Sequence, residues 1–234
     1  MSRTVRKPTV RLAREVRVGA ILDAARDVFC KKGYEHTAVS EIAARIGVVE
    51  GTVFKYFPTK RELLLRMLEQ WYEEMIGGYA RDLAGLKDAR QRLRFLIWRH
   101  LCTVRDFPQL CRLVFHEVRP AHNYAGTRLH EMNRRYTQFL TDVVQQGAAS
   151  GDFRRDLPPT LLRDLVYGGV EHAAWNYLCG RGSLDIDTLA DQITALVCEG
   201  LAAPADADLQ RETARLSRIA TRMERHLAPR RHRG

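Results

Sequence analysis

The sequence predicts an all-α protein, with an N-terminal three-helix unit built round a helix-turn-helix and a larger helical domain behind it. Three observations carry this. Apolar residues recur at spacings of three and four along most of the 234-residue chain, and no stretch alternates with the period of two that a half-buried strand requires. Leu, Ala, Arg and Glu dominate, which favours helix over sheet. The 8 Pro and 16 Gly fall mostly between the periodic segments. With 45% apolar residues the chain can bury a proper core.

Taken in order, residues 1–13 make a basic arm carrying Arg3, Arg6, Lys7 and Arg11, with Pro8 discouraging helix before it. Such an arm either reaches a groove of nucleic acid or stays solvated. Val18, Ile21, Leu22, Ala25, Val28 and Phe29 predict a helix that closes at Lys31-Lys32-Gly33, with cations in the last turn and a glycine for the left-handed cap. Two short helices follow. Pro58-Thr59-Lys60 then breaks the chain, and Thr59 with Glu62 reads as a capping box. The helix it opens carries Leu63, Leu64, Met67, Leu68, Trp71 and Met75 as far as Gly77-Gly78. Further helices are expected at about 88–105, 108–118, 122–149, 160–178 and 185–201, with a loop over 151–159. A final amphipathic stretch, 206–227, interleaves Leu209, Leu216, Ile219 and Met223 with Arg211, Arg215, Arg218 and Arg222.

Val39–Phe57 is the most informative segment. Ile42 and Ile46 lie one turn apart and must face a core, and Ala43 is small where a second helix crosses closely. Gly47 suits a left-handed helix end, Val48 anchors the turn, and Val53 and Tyr56 sit three apart on the next short helix. Such a unit lays its second helix in the major groove of double-stranded DNA, where base edges are distinguishable. A tight helical hairpin in an ordinary bundle is the alternative. The expected contacts are Ser40, Val49, Glu50, Thr52 and Lys55, with Tyr56 and Lys60 clamping the backbone. Thr37 is expected to bond a phosphate through its hydroxyl and backbone N–H.

The charge supports this placement. Residues 1–66 carry fourteen Lys/Arg against seven Asp/Glu, residues 67–203 sixteen against seventeen, and residues 204–234 eight against four. The N-terminal quarter is thus a cationic module on a neutral body, which suits a polyanionic partner.

Ile21-Leu-x-Ala-Ala-x-x-x-Phe29, Gly33-Tyr34, Thr37, Ile42-Ala43, Gly47-Val48, Gly51-Thr52-Val53-Phe54-x-Tyr56-Phe57 and Pro58-x-Lys60-x-x-Leu63 together resemble the TetR family of repressors. The resemblance covers about residues 16–70. It implies a homodimer of all-helical subunits, each with a helix-turn-helix domain (14–60) and a ligand-binding, dimerising domain (61–203), followed here by a basic C-terminal helix and tail (204–234). It also implies repression that a small molecule relieves. Glu50 departs from the Lys, Arg, Pro or Ala common in the family. It either accepts from a cytosine amino group or simply favours its own helix dipole. Phe54 replaces a commoner Tyr or Leu and is expected to pack.

Helices 160–178 and 185–201 are the expected dimer interface. The first carries Leu161, Leu165, Gly168, Gly169 and His172, and the second Leu189, Ile193, Leu196 and Val197. A ligand cavity is expected among the middle helices, with Trp98, His100, Phe115, His116, Tyr136, His172 and Trp175 as candidate contacts. Few charges fall on those faces, so an apolar or amphipathic effector is expected. A regulator with no ligand, or a helical interaction protein, is the alternative.

Enzyme chemistry finds little support. His116-Glu117 with His122 has the wrong spacing for a zincin, Glu171 and His172 are adjacent and diverge round their helix, and no phosphate loop or G-x-S-x-G occurs. No metal site or cofactor is expected. Five widely spaced cysteines without C-x-x-C read as core residues in a reducing compartment, and no 18-residue apolar run is present. A cytoplasmic protein with no membrane partner is expected.

Overall fold

In the computed structural model, which describes residues 10–202 together with 213 and 215–219, every regular element among the described residues is helical. The amphipathic stretch 206–227 and the arm therefore lie mostly outside the described residues. Positions 10–13, expected to belong to the arm, instead begin the first helix.

Helices α1 (Val10–Lys32), α2 (Val39–Arg45) and α3 (Glu50–Phe54) form the N-terminal unit. Ile21, Ala25 and Phe29 of α1 meet Ile42, Ala43 and Val53, all at or below 1% exposure, so the short helices are held by a dry core rather than by their own propensity. Arg45 reaches back to Asp27 (2.7 Å) and Lys32 to Glu41, fixing α2 against α1. Gly47 takes φ +68 between α2 and α3, a conformation that a Cβ would strain.

Helix α4 (Lys60–Leu83) starts as expected: Thr59 Oγ1 accepts from the Glu62 amide at 3.0 Å. It does not stop at Gly77-Gly78. Tyr79 and Leu83 continue its buried stripe, and the packing against the rest of the domain outweighs the cost of two glycines in a helix interior. The body then comprises α5 (Ala89–Asp106), α6 (Pro108–Arg112), α7 (Arg128–Ser150), α8 (Pro159–Ala173), α9 (Trp175–Leu178) and α10 (Ile186–Leu201). Helix α7 packs on α4, α5 and α8, and α10 packs on α5.

Three boundaries differ from expectation. The expected 108–118 helix is α6 followed by a π-helical turn over Leu113–Val118, which widens the helix at one wall of a cavity. Helix α7 begins at Arg128 rather than near 122, because Gly126 is left-handed and Thr127 accepts from the His130 amide. The expected 160–178 helix is interrupted at Ala174, which is wholly buried.

The expected α10 stripe is divided as well. Leu189, Ile193 and Val197 turn towards the core, leaving Leu196 at 70% exposure. On α8, Leu165 is 61% exposed, and Gly168 and Gly169 open onto free space. No described helix is long and apolar enough to cross a membrane.

Candidate DNA-reading helix and effector cavity

On the N-terminal unit the outward set is laid out along α3 and its flanks. Ser40, Val49, Glu50 and Lys55 are exposed, while Thr52, Tyr56 and Lys60 are half-buried. Lys60 Nζ lies 4.5 Å above the Tyr34 ring and donates to the Glu35 carbonyl, so it is already positioned at the head of α4.

Thr37 corrects the sequence expectation. It is 3% exposed, its hydroxyl donates to the Gly33 carbonyl (2.7 Å), and its amide donates to the Tyr34 carbonyl. Both groups meant for a phosphate instead close the end of α1. Phe54 is the opposite case. Expected to pack, it is 39% exposed on the reading helix, where an aromatic edge can meet a thymine methyl. With Val49, at the cap of α3, it leaves an exposed apolar edge that sequence reasoning missed for Phe54.

Glu50 forms no ion pair among the described residues and stands in the first turn of α3. Glu50→Ala separates its two readings. A base-reading Glu50 predicts relaxed preference at one operator position, which selection from a randomised duplex pool would detect. Unchanged preference with tighter overall binding would leave only the dipole role.

The larger domain holds a cavity of about 580 Å³ between α4, α5, α7, α8 and the π-helical turn. Of the expected ligand contacts, His100, Phe115 and Tyr136 line it. Trp98 does not: its Nε1 donates to Asp187 (3.0 Å) where α5 meets α10. His116 is exposed and set edge-on to Trp175, and both lie outside the cavity, as does His172 beside them on the surface. Helical spacing located the aromatic residues but not the direction from which the neighbouring helix arrives.

The interior also includes Trp71, Tyr72, Met75, Thr103, Cys111 and Tyr167. Tyr136 is its hub, with Tyr79 Oη at 2.8 Å and His100 Nδ1 at 2.7 Å. Tyr72 donates to Asn133 Oδ1 at 3.0 Å. Burial pushes the Cys111 thiol up to about 12, so it is an inert wall rather than a nucleophile. Towards solvent the lining becomes charged: Arg119, Arg134, Arg163 and His130, with Glu171 and Asp164. Arg119 pairs with Glu171 and Arg163 with Asp164. That charged rim, on which Arg134 alone of the three arginines has no carboxylate partner among the described residues, departs from the expectation of few charges near the ligand. Among the described residues, no group of His, Cys, Asp and Glu is placed to hold a metal ion.

Burial, aided by the positive Arg119, lowers the His100 pKa from 6.5 to about 4. The unfolded chain therefore binds the extra proton first as pH falls. His100 stabilises the fold fully above pH 6.5, and this is lost between pH 6.5 and about 4, amounting to about 3 kcal/mol. Denaturant melts across that window should show a flatter pH slope in His100→Gln than in the wild type.

A cationic helix-turn-helix on a helical body with an amphipathic cavity defines a DNA-binding regulator with an effector domain. Residues 21–67 match the family described as "Bacterial regulatory proteins, tetR family", and residues 86–201 match "Tetracyclin repressor-like, C-terminal domain". The chain belongs to the TetR family and is a DNA-binding transcriptional regulator.

Among its relatives is the fatty acid metabolism regulator protein of Bacillus subtilis (strain 168), 23% identical across 77% of this chain and 93% of that one. The transcriptional repressor KstR2 of Rhodococcus jostii (strain RHA1) is 28% identical across 79% and 90%. Among solved structures, the transcriptional regulator FadR from Bacillus subtilis in complex with stearoyl-CoA superposes with a TM-score of 0.69 at 23% identity, covering 78% of this chain and 98% of that one.

Proposed function

We propose that the protein is a dimeric repressor whose effector is an acyl thioester of coenzyme A. Residues 14–60 read one half of a palindromic operator, and residues 61–203 hold the effector and pair two copies. The observation that carries the effector class is the graded cavity: an aromatic interior suited to an acyl group, opening through a rim of Arg119, Arg134 and Arg163 suited to phosphates. The FadR complex with stearoyl-CoA supports the same class. Pairing is supported by Leu161, Leu165 and Leu196, large apolar side chains exposed on α8 and α10 of a single subunit. Reading an operator is a binding role carried out beside the chromosome, in the cytoplasm.

The test uses the full-length protein on a labelled duplex from its own upstream region, titrated with acyl-CoAs of graded chain length. Coenzyme A and the free fatty acids serve as controls. Release by acyl-CoA alone is expected, and Arg134→Ala, which removes a rim cation without a carboxylate partner among the described residues, should raise the concentration needed by about tenfold. Release by free fatty acids at equal concentration would remove the rim from the reading. Failure of every thioester to release the protein or bind it would remove the effector class.

A further inference from the structure

The inner wall of the cavity carries polar groups that the protein itself leaves unsatisfied. The Trp71 indole N–H and the Tyr167 hydroxyl are buried without a hydrogen-bond partner, and both residues line the cavity. His100 stands beside Tyr167. Its Nδ1 is engaged by the Tyr136 hydroxyl at 2.7 Å, and its ring stands edge-on to Tyr167 with centroids 4.8 Å apart. Its remaining nitrogen, Nε2, forms no hydrogen bond with the described residues but is not sealed in as the indole and the phenol are. Orphaned groups of this kind are rare in native interiors, and two that line one cavity call for a common explanation.

The surroundings define the character of the missing partner. Tyr79 and Tyr136 satisfy each other, so the wall is braced and does not collapse onto its orphans. The lining's arginines, Arg119, Arg134 and Arg163, are at least partly exposed, and burial aided by the charge of Arg119 keeps His100 neutral. A carboxylate there would be desolvated with the lining's arginines out at the rim. Both orphans, the indole and the phenol, present N–H or O–H hydrogens. An uncharged oxygen acceptor fits them; a plain methylene chain would leave both unpaired.

We infer that the part of the effector that enters the cavity carries a neutral oxygen, a carbonyl or hydroxyl on the acyl chain, bonded by Tyr167 and His100 with Trp71 beside them. This rests on the acyl-thioester reading of the effector and narrows it to oxygenated acyl groups. Tyr167 and His100 are then specificity-determining residues. They discriminate against the saturated chain because a buried site built to hydrogen-bond an oxygen rejects the analogue that lacks it.

Isothermal titration of the full-length dimer would compare decanoyl-CoA with 3-hydroxydecanoyl-CoA, 3-oxodecanoyl-CoA and ω-hydroxydecanoyl-CoA. At least one oxygenated thioester should bind about tenfold or more tightly than decanoyl-CoA. Tyr167→Phe should erase that gap, the oxygenated thioesters losing more affinity than decanoyl-CoA does. Its ligand-free melting temperature should be unchanged or higher, since the variant removes an unpaired buried hydroxyl. His100→Phe should narrow the gap in the same direction.

Equal binding of all four thioesters overturns the inference while leaving the acyl-thioester reading intact, with the thioester's own carbonyl as the partner. A gap that survives in Tyr167→Phe, or a clear fall in that variant's ligand-free melting temperature, overturns the assigned role of the hydroxyl. No binding by any of the four overturns both readings.

Discussion

A glutamate at Leu165 or Leu196 is expected to split the proposed dimer and to cost more operator affinity than any single change on the reading helix. Both side chains stand largely in solvent in one subunit, so the substitution leaves the subunit's own core untouched. In a two-fold interface each change appears twice and would bury an unpaired carboxylate each time, a cost of several kcal/mol per site. A lone subunit engages one half-site and loses the advantage of linked binding, which is on the order of a thousandfold. Light scattering should report a monomer, circular dichroism an unchanged helix content, and fluorescence anisotropy the lost affinity. A variant that stays dimeric with full affinity would move the interface elsewhere.

The second large effect is expected from Thr52→Ala combined with Lys55→Ala. Lys55 is exposed and has no carboxylate partner among the described residues, so its loss removes a contact without freeing a buried charge. Each lost contact costs about 1–3 kcal/mol and is lost at both half-sites, giving a fall of a hundredfold or more. The two changes separate by salt. Removing Lys55 should lower the slope of log affinity against log salt by about two per dimer, one phosphate for each copy. Removing Thr52 should leave the slope alone and alter base preference. A Lys55→Ala protein with an unchanged slope would take that residue off the backbone.

The helix-turn-helix framework was legible because its constraints are local. Ile42, Ala43, Gly47 and Val53 lie within a dozen residues of one another, and their spacing alone demands a helix, a left-handed turn and a helix. Thr37 was misread because a hydroxyl near a helix start serves a phosphate or a backbone carbonyl equally well, and only the fold of α1 brings Gly33 within reach. The cavity was legible only in part. His100, Phe115 and Tyr136 were found as aromatic or imidazole groups on apolar faces, but so were Trp98 and Trp175, which turn elsewhere. Trp71 and Met75 read as ordinary core. The rim draws Arg119, Arg134 and Arg163 from three separate segments, and nothing in their spacing along the chain announces that they converge. The π-helical turn that carries Phe115 has no simple sequence signature at all.

Trp71 forms part of the cavity wall and also stacks edge-on against Phe107, whose ring carries the Arg26 guanidinium of α1 at 5.1 Å; Arg26 in turn pairs with Glu74. The effector wall and the first helix of the DNA-binding unit thus share one short chain of contacts. Whatever the effector does to α1 through it, linkage obliges the operator to do in reverse. A tenfold loss of DNA affinity on effector binding means a tenfold loss of effector affinity on the operator. Protein free in the cell then fills with effector first and acts as a reservoir, while the copies seated on DNA set the concentration at which transcription begins.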